Sequence, residues 1–296
     1  MPSRRTNVSG MAMGRYSIAL ATSVSPLPPS DLVLIAALRR LGANAIPVLW
    51  HSSVIDWGGF DCVVVRSCWD YHLRLPEFLA WLDGLAVMTI NYPRLIKWNA
   101  DKRYLRELSS AGVAIPDTIW NDVGEQWDVR RVCEERGWLA AVVKPLVSAS
   151  AYGTERLTSG IVSGTNMIQE YLGSIETEGE WSLLYFGGRY SHAVRKRPGA
   201  GDFRVQMEFG GTVEAAEPDP AMRAFAEEAL SLLPHAPVIA RVDVLQSERG
   251  CLLMEMEVIE PELFLTHAPG SADRAAAAIM SGLIEPSPRA SPDPLL

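Results

Sequence analysis

From Tyr16 onward the chain alternates short apolar runs with amphipathic stretches. Tyr16–Thr22, Ala45–Trp50, Asp61–Arg66 and Ala86–Asn91 are apolar segments of strand length, without the polar alternation of a sheet that faces water, and are expected as buried strands. Between the first two, Leu32, Ile35, Leu38 and Leu41 recur at helical spacing. Pro-Pro-Ser-Asp precedes them, with Ser30 or Asp31 expected as N-cap, and Gly42 is the stop signal. Pro76–Gly84 reads as a short helix. Strand–helix alternation predicts a small parallel α/β domain over residues 14–95.

The pattern then changes. Residues 96–172 begin with a helix expected around Asp101–Ser110, ended by Gly112. A polar helix, Glu125–Arg136, precedes the strand Ala140–Lys144, the small-residue loop Ser148-Ala-Ser-Ala-Tyr-Gly-Thr154 and the strand Asn166–Tyr171. Over 173–285 an antiparallel sheet is expected. Glu180–Phe186 and Arg189–Arg195 flank Gly187-Gly188, a hairpin signal. Pro220–Leu233 is a helix with Met222, Phe225, Ala226, Ala229 and Leu233 on one face. Val238–Leu245 and Cys251–Val258 are strands, and Ala275–Leu283 a last helix. The expected class is therefore α/β (α+β): a parallel N-terminal domain, then two lobes with antiparallel sheets, with residues 1–13 and 286–296 as flexible tails.

Composition narrows the chemistry. A net charge of −8 over 296 residues disfavours a nucleic-acid surface. No apolar run has the length of a membrane span. Cys62, Cys68, Cys133 and Cys251 show no metal-type spacing and are expected as buried free thiols in a reducing, cytoplasmic setting. Ala21-Thr-Ser-Val-Ser-Pro follows the first strand where a dinucleotide-binding Gly-x-Gly-x-x-Gly would stand.

Asp243, Glu255 and Glu257 form the strongest constellation. Glu255 and Glu257 alternate with Met254, Met256 and Val258, so both carboxylates share one sheet face. Asp243 on the partner strand can join them. Three carboxylates there repel unless a cation sits among them, and hard oxygen ligands suit Mg²⁺; the alternative is a solvated acidic face. Arg241 is either their counter-ion or a stabiliser of transferred phosphoryl charge. Lys144, at a strand end before the small-residue loop, suits a phosphate. Gln169-Glu170-Tyr171-Leu172 closes a strand, and Glu176, Glu178 and Glu180 follow; this segment suits an adenine and its ribose, or is an exposed acidic turn. His192 to Arg204 holds a basic cluster whose natural ligand is a polyphosphate or a carboxylate. Arg66 either grips a substrate carboxylate or makes a structural salt bridge. Glu260 is a candidate for a substrate amine, and His267 a further candidate.

In order and spacing, these residues resemble the ATP-grasp superfamily, in its glutathione synthetase/RimK-like branch. The resemblance runs from about Asp101 to Leu265. It is clearest at Gly201-Asp-Phe-Arg-Val-Gln206 with Gly210-Gly211, and at Arg241-Val-Asp243 with Glu255-Met-Glu257. Further matches at Arg66-Ser67, Trp69, Asp101-Lys-Arg-Tyr-Leu105, Tyr190-Ser-His-Ala193 and Glu260-Pro261 resemble the O-ureido-serine cyclo-ligase group of cycloserine biosynthesis. The resemblance implies an ADP-forming ligase that phosphorylates a carboxylate-like group of a small amino-acid-type substrate and captures it with an amine, by amide formation or cyclisation. It implies ATP with two Mg²⁺, for which Mn²⁺ can substitute, held by Asp243, Glu255 and Glu257. Lys102, Lys144, Ser148 and Ser150 would serve the phosphates, Gln169 to Leu172 the adenine, and Glu178 and Glu180 the ribose side. Lys196, Arg204 and Arg241 would stabilise the γ-phosphate. Glu257 stands where relatives often have Asn, and the loop after Lys144 lacks their dense glycines. A phosphotransferase, a non-catalytic nucleotide-binding regulator and a homodimer remain open.

Overall fold

The computed structural model describes residues 16–284, so both expected tails lie outside the described residues. The N-terminal unit contains β1 (Tyr16–Thr22), α1 (Pro29–Arg40), β2 (Ala43–Leu49), β3 (Cys62–Val65), α2 (Leu75–Gly84) and β4 (Met88–Ile90). Its strands run parallel in the order β2-β1-β3-β4. Along β1, Ile18 and Leu20 enter one core, and Ala19 and Ala21 enter another on the opposite face. The expected N-cap moves: α1 is preceded by Pro28, and Ser30 and Asp31 are buried in its first turn, where their side chains make long-range bonds instead.

α3 (Pro93–Asn99) and α4 (Tyr104–Ser110) follow. Leu95, Tyr104, Leu105 and Leu108 pack in the same core as Val242, Val244 and Met256, so these helices back the C-terminal sheet. α3 is absent from the sequence reading, and α4 begins three residues after the expected Asp101.

The next unit contains β5 (Thr118–Asn121), β6 (Gln126–Asp128), α5 (Val129–Arg136), β7 (Ala141–Pro145), β8 (Glu155–Leu157), β9 (Ile161–Ser163) and β10 (Asn166–Glu170). One antiparallel sheet has the order β5-β10-β7-β8, and β6 pairs with β9. The long polar helix expected from Glu125 is shorter, because Asp128 caps α5 by accepting from Arg130 N and Arg131 N.

α6 (Ser174–Thr177), β11 (Glu180–Phe186), β12 (Arg189–Arg197), β13 (Thr212–Ala216), α7 (Pro220–Ser231), β14 (Ile239–Ser247) and β15 (Gly250–Glu257) form the third unit. Its antiparallel sheet has the order β13-β12-β11-β14-β15. α8 (Ser271–Ile284) returns to the N-terminal unit, where Ala275, Ala276 and Ile279 join Ile18, Leu20, Leu34 and Leu38. Cys62, Cys68 and Cys133 are buried free thiols as expected, whereas Cys251 is only half-buried. No helix among the described residues is long and apolar enough to cross a membrane.

Candidate active site

A cleft of about 520 Å³ lies where the three units meet. Its floor is one face of the five-stranded sheet. Asp243 on β14 stands opposite Glu255 on β15, and Arg241 opposite Glu257. On β11, Ser182 stands opposite Asp243, and Glu180 is opposite Lys196 of β12. Behind this face Val242, Val244 and Met256 fill the core, as period-2 alternation requires.

Carboxylate oxygens of Asp243, Glu255 and Glu257 all lie within 4.8 Å of one another. Asp243 is the most constrained. Ser182 Oγ donates to its Oδ1 at 2.5 Å, Arg241 Nε to the same oxygen at 3.0 Å, and Arg241 Nη2 and Lys196 Nζ to Oδ2 at 2.9 and 3.2 Å. Arg241 also donates to Glu257. Lys196 pairs with Glu180 at 2.5 Å, and Lys102 with Glu255 at 2.8 Å.

The charges are not balanced evenly. Burial opposes ionisation of Asp243, yet Arg241 and Lys196 hold its pKa down at about 2. Burial likewise opposes ionisation of Glu255, but Lys102 and Lys144 hold it below the usual range. For Glu257, burial together with Glu255 and Asp243 outweighs Arg241 and lifts the pKa to about 7. Crowded negative charge on hard oxygen donors is the environment a divalent cation relieves, so the donor set fits Mg²⁺.

The other wall carries Lys144, whose Nζ donates to Gln169 Oε1 at 3.0 Å; burial lowers its pKa. Gln169, Glu170, Tyr171 and Leu172 line the cleft beside Val142, Ile175, Val205, Leu245 and Met254, an apolar slot suited to a flat base. Ser148 and Ser150 line it from the loop after β7, and Lys102 Nζ donates to Ser148 O at 2.8 Å. Arg204 lines it too, with Nη2 donating to Asp202 at 2.7 Å and its guanidinium 3.5 Å from the Phe209 ring centre. Glu180 is at the cleft, but Glu178 is exposed beyond α6 and is not among the lining residues.

Arg66 has two readings in the sequence, a grip on a substrate carboxylate or a structural salt bridge. It is 1% exposed and does not line the cleft. Its Nε and Nη2 each meet Asp31 Oδ1 at 3.0 Å, and Nη1 donates to Pro261 O at 3.0 Å. The structural salt bridge is the reading that fits. Glu260 lies in the cleft, and Trp69 Nε1 donates to its backbone carbonyl at 3.2 Å. His267 is at the rim with Thr266 and Phe264.

The sequence reading missed Asn99, Tyr71 and Glu262, and it used Trp69 only for the resemblance; all four line the cleft. Asn99 Nδ2 donates to Met256 O at 2.7 Å, and its Oδ1 accepts from Val258 N at 3.0 Å, fixing the strand that carries Glu255 and Glu257. The Glu260-Pro-Glu262 spacing, continuing beyond Glu257, was the available signal for Glu262.

A five-stranded antiparallel floor, a second antiparallel lobe over it, and a carboxylate–lysine–arginine set between them define an ATP-grasp ligase. The solved structure of ATP-grasp ligase PsnB, complexed with a phosphomimetic variant of its minimal precursor, Mg and ADP, shares this fold, with a TM-score of 0.60 over 92% of this chain and all of that one, at 15% identity. The family described as D-cycloserine synthetase DcsG, N-terminal domain, matches residues 18–92. Cycloserine biosynthesis protein DcsG of Streptomyces lavendulae is 32% identical over 301 residues, covering 90% of this chain and 98% of that protein. The crystal structure of D-cycloserine synthetase DcsG matches with a TM-score of 0.79 and 29% identity, over 90% of this chain and 99% of that one. The chain belongs to the DcsG family of ATP-grasp ligases. It is an ATP-dependent ligase that forms C–N bonds on an amino-acid-like substrate.

Proposed function

We propose that this enzyme activates the carboxylate of a small amino acid derivative and closes it onto an amine-type nitrogen, in the manner of an O-ureido-serine cyclo-ligase. The observation that carries the reading is the convergence of Asp243, Glu255 and Glu257 with Lys102, Lys196 and Arg241 around one cleft. Asp243, Glu255 and Glu257 would hold two Mg²⁺, or Mn²⁺ in their place, and metal bound there would screen the charge of the phosphates.

The chain's own groups account for the rest. Gln169 to Leu172 and the apolar slot receive adenine, and Glu180 takes the ribose side. Lys102, Lys144 and the 148–150 loop hold the phosphates. The substrate carboxylate attacks the γ-phosphorus, the bond to the β-phosphate oxygen breaks, and ADP leaves. Lys196, Arg204 and Arg241 stabilise the charge on the transferred group. The nitrogen then attacks the acyl carbon, phosphate departs and the nitrogen gives up a proton. Positioning and electrostatics supply most of the acceleration.

Glu260 is suited to the substrate ammonium. Among the described residues, the other buried or half-buried cleft carboxylates have partners: Asp243, Glu180, Glu255 and Glu257 have cations, Glu170 has Arg249, and Glu262 has Ser30. Glu260 is buried with no side-chain donor bonded to its carboxyl, and burial, then Glu257 and Glu255, push its pKa well up. A cationic ligand would offset that cost. Four unpaired cysteines support a reducing, cytoplasmic setting.

The test is ADP release from Mg·ATP against a panel of amino acids and hydroxyurea-derived serine analogues. Substrate-dependent release that Asp243→Asn and Glu255→Gln each reduce at least about a hundredfold is expected. Product mass separates cyclisation, intermolecular ligation and simple phosphorylation. Turnover undiminished in both variants would sink the site assignment.

A further inference from the structure

The loop between β7 and β8, residues 146–154, is tied to the N-terminal unit by a ring contact. The Tyr152 ring lies 5.0 Å from the His72 imidazole, with the planes at 52°. Tyr152 is otherwise 57% exposed, so this contact is what orients its ring. Ala149 packs against the N-terminal core that contains Tyr71 and Phe78. At the loop's start, Lys102 N donates to Leu146 O at 2.8 Å.

The loop's backbone needs such support. Ser150 and Ala151 hold φ of +49° and +55°, in the left-handed region. For residues with a Cβ this costs on the order of 1 kcal/mol each and persists where the surroundings impose it. Gly153 has φ +65°, and a Cβ there would come 2.8 Å from Pro145 Cγ, so the loop folds back tightly on the end of β7. A loop with one glycine, bent this way and contacting a different unit, is preorganised rather than freely hinged.

We propose that His72 and Tyr152 are positioning residues for nucleotide binding. Their contact pins the loop to the N-terminal unit and so holds Ser148–Ala151, which line the cleft, in place for the triphosphate. The segment that carries His72 also places Trp69 and Tyr71 along the same cleft. One short stretch therefore lines the site and contacts the loop that lines it too. The inference rests on the ligase reading only in taking Mg-nucleotide as the ligand.

Calorimetric titration of the full chain with Mg·AMPPNP tests it. Tyr152→Ala and His72→Ala are each expected to weaken binding about five- to tenfold, and the double variant no more than the weaker single, because both remove the same contact. Tyr152→Phe and His72→Phe, which keep a ring at each position, bind close to wild type. The melting temperatures of the free variants stay within about 2 °C of wild type, so a loss of binding is not a loss of fold. Single variants that bind like wild type, or losses that multiply in the double variant, overturn the proposal while the ligase reading stands. A wild-type protein that does not bind Mg·AMPPNP sinks the ligase reading and this one together.

Discussion

At the scale of single residues, Arg66 and Asp31 show how a local pattern misleads. An arginine at the end of a buried strand looks aimed at a ligand, but its partner lies 35 positions earlier in α1, at Asp31, one of the two residues expected as that helix's cap. Ser67 Oγ also donates to Asp31, at 2.7 Å. Arg66→Ala would leave a buried carboxylate uncompensated and is expected to destabilise the fold by about 3–5 kcal/mol, while pairing it with Asp31→Asn recovers part of that. Denaturant midpoints of the single and double variants check this; a normal midpoint with only a raised substrate KM would restore the ligand-gripping role. Asp243, Glu255 and Glu257 were legible for the opposite reason. Strand periodicity alone puts two of them on one face, and a short turn brings the third beside them. His192 carries a pH signature invisible in sequence. Burial pushes its pKa down to about 4 from 6.5. As pH falls through that window the unfolded chain takes up the proton first, so stability drops by roughly 2 kcal/mol between pH 7 and 5. His192→Gln should flatten that part of the curve, and an unchanged slope in the variant would assign the acid loss to other groups.

Elements were legible where they carry their own pattern. β11 and β12 announce themselves by their hairpin glycines, and β14 and β15 by apolar runs around a polar turn. β6, β8, β9 and β13 are three to five residues long and carry exposed positions. Their pairing comes from neighbours rather than from a hydrophobic face: β6, for instance, joins β9 across more than thirty residues. α3 has seven residues and no side-chain cap; Leu95 and Ile96, buried in two different cores, hold it in place. The joints between elements were not legible, and Asn91 is one of them. Its Nδ2 donates to Ile239 O and Val258 O, both at 2.7 Å, and its Oδ1 accepts from Val238 N at 2.7 Å and Ile239 N at 3.1 Å. One amide after β4 thus serves four backbone groups at the start of β14 and the end of β15. Asn91→Ala is expected to cost about 2–4 kcal/mol, since those groups lose their partner in a buried place. Asn91→Asp, which can accept but not donate in its ionised form, should be no better; an aspartate variant as stable as wild type would show that water replaces the donors.

Over the whole molecule, the packing redraws the boundaries that sequence suggested. The expected division put residues 96–172 in one lobe and 173–285 in another. α3 and α4 instead share a core with the five-stranded sheet, and α8, from the end of the described chain, covers the first strand. Sequence periodicity finds an apolar face but not the face it meets, so this joining was beyond its reach. One core contains Leu20, Phe186, Ile239 and Ile279, drawn from β1, β11, β14 and α8. The lobe over the cleft has its own core of Ile119, Val129, Val132, Val143 and Ile168. Shared cores unfold together, and a separate core can open alone. Ile279→Ala, a truncation in the shared core, is therefore expected to cost about 2–4 kcal/mol. Amide exchange in β1 and β14 should accelerate together in this variant. Exchange in β7 and β10, governed by opening of the upper lobe, should stay near its wild-type rate, and Mg·AMPPNP should slow it, because a nucleotide bound as proposed would bridge that lobe to the floor. If β7 and β10 accelerate in step with β1, the lobe has no opening of its own, and the cleft must admit nucleotide without a separate motion above the carboxylates.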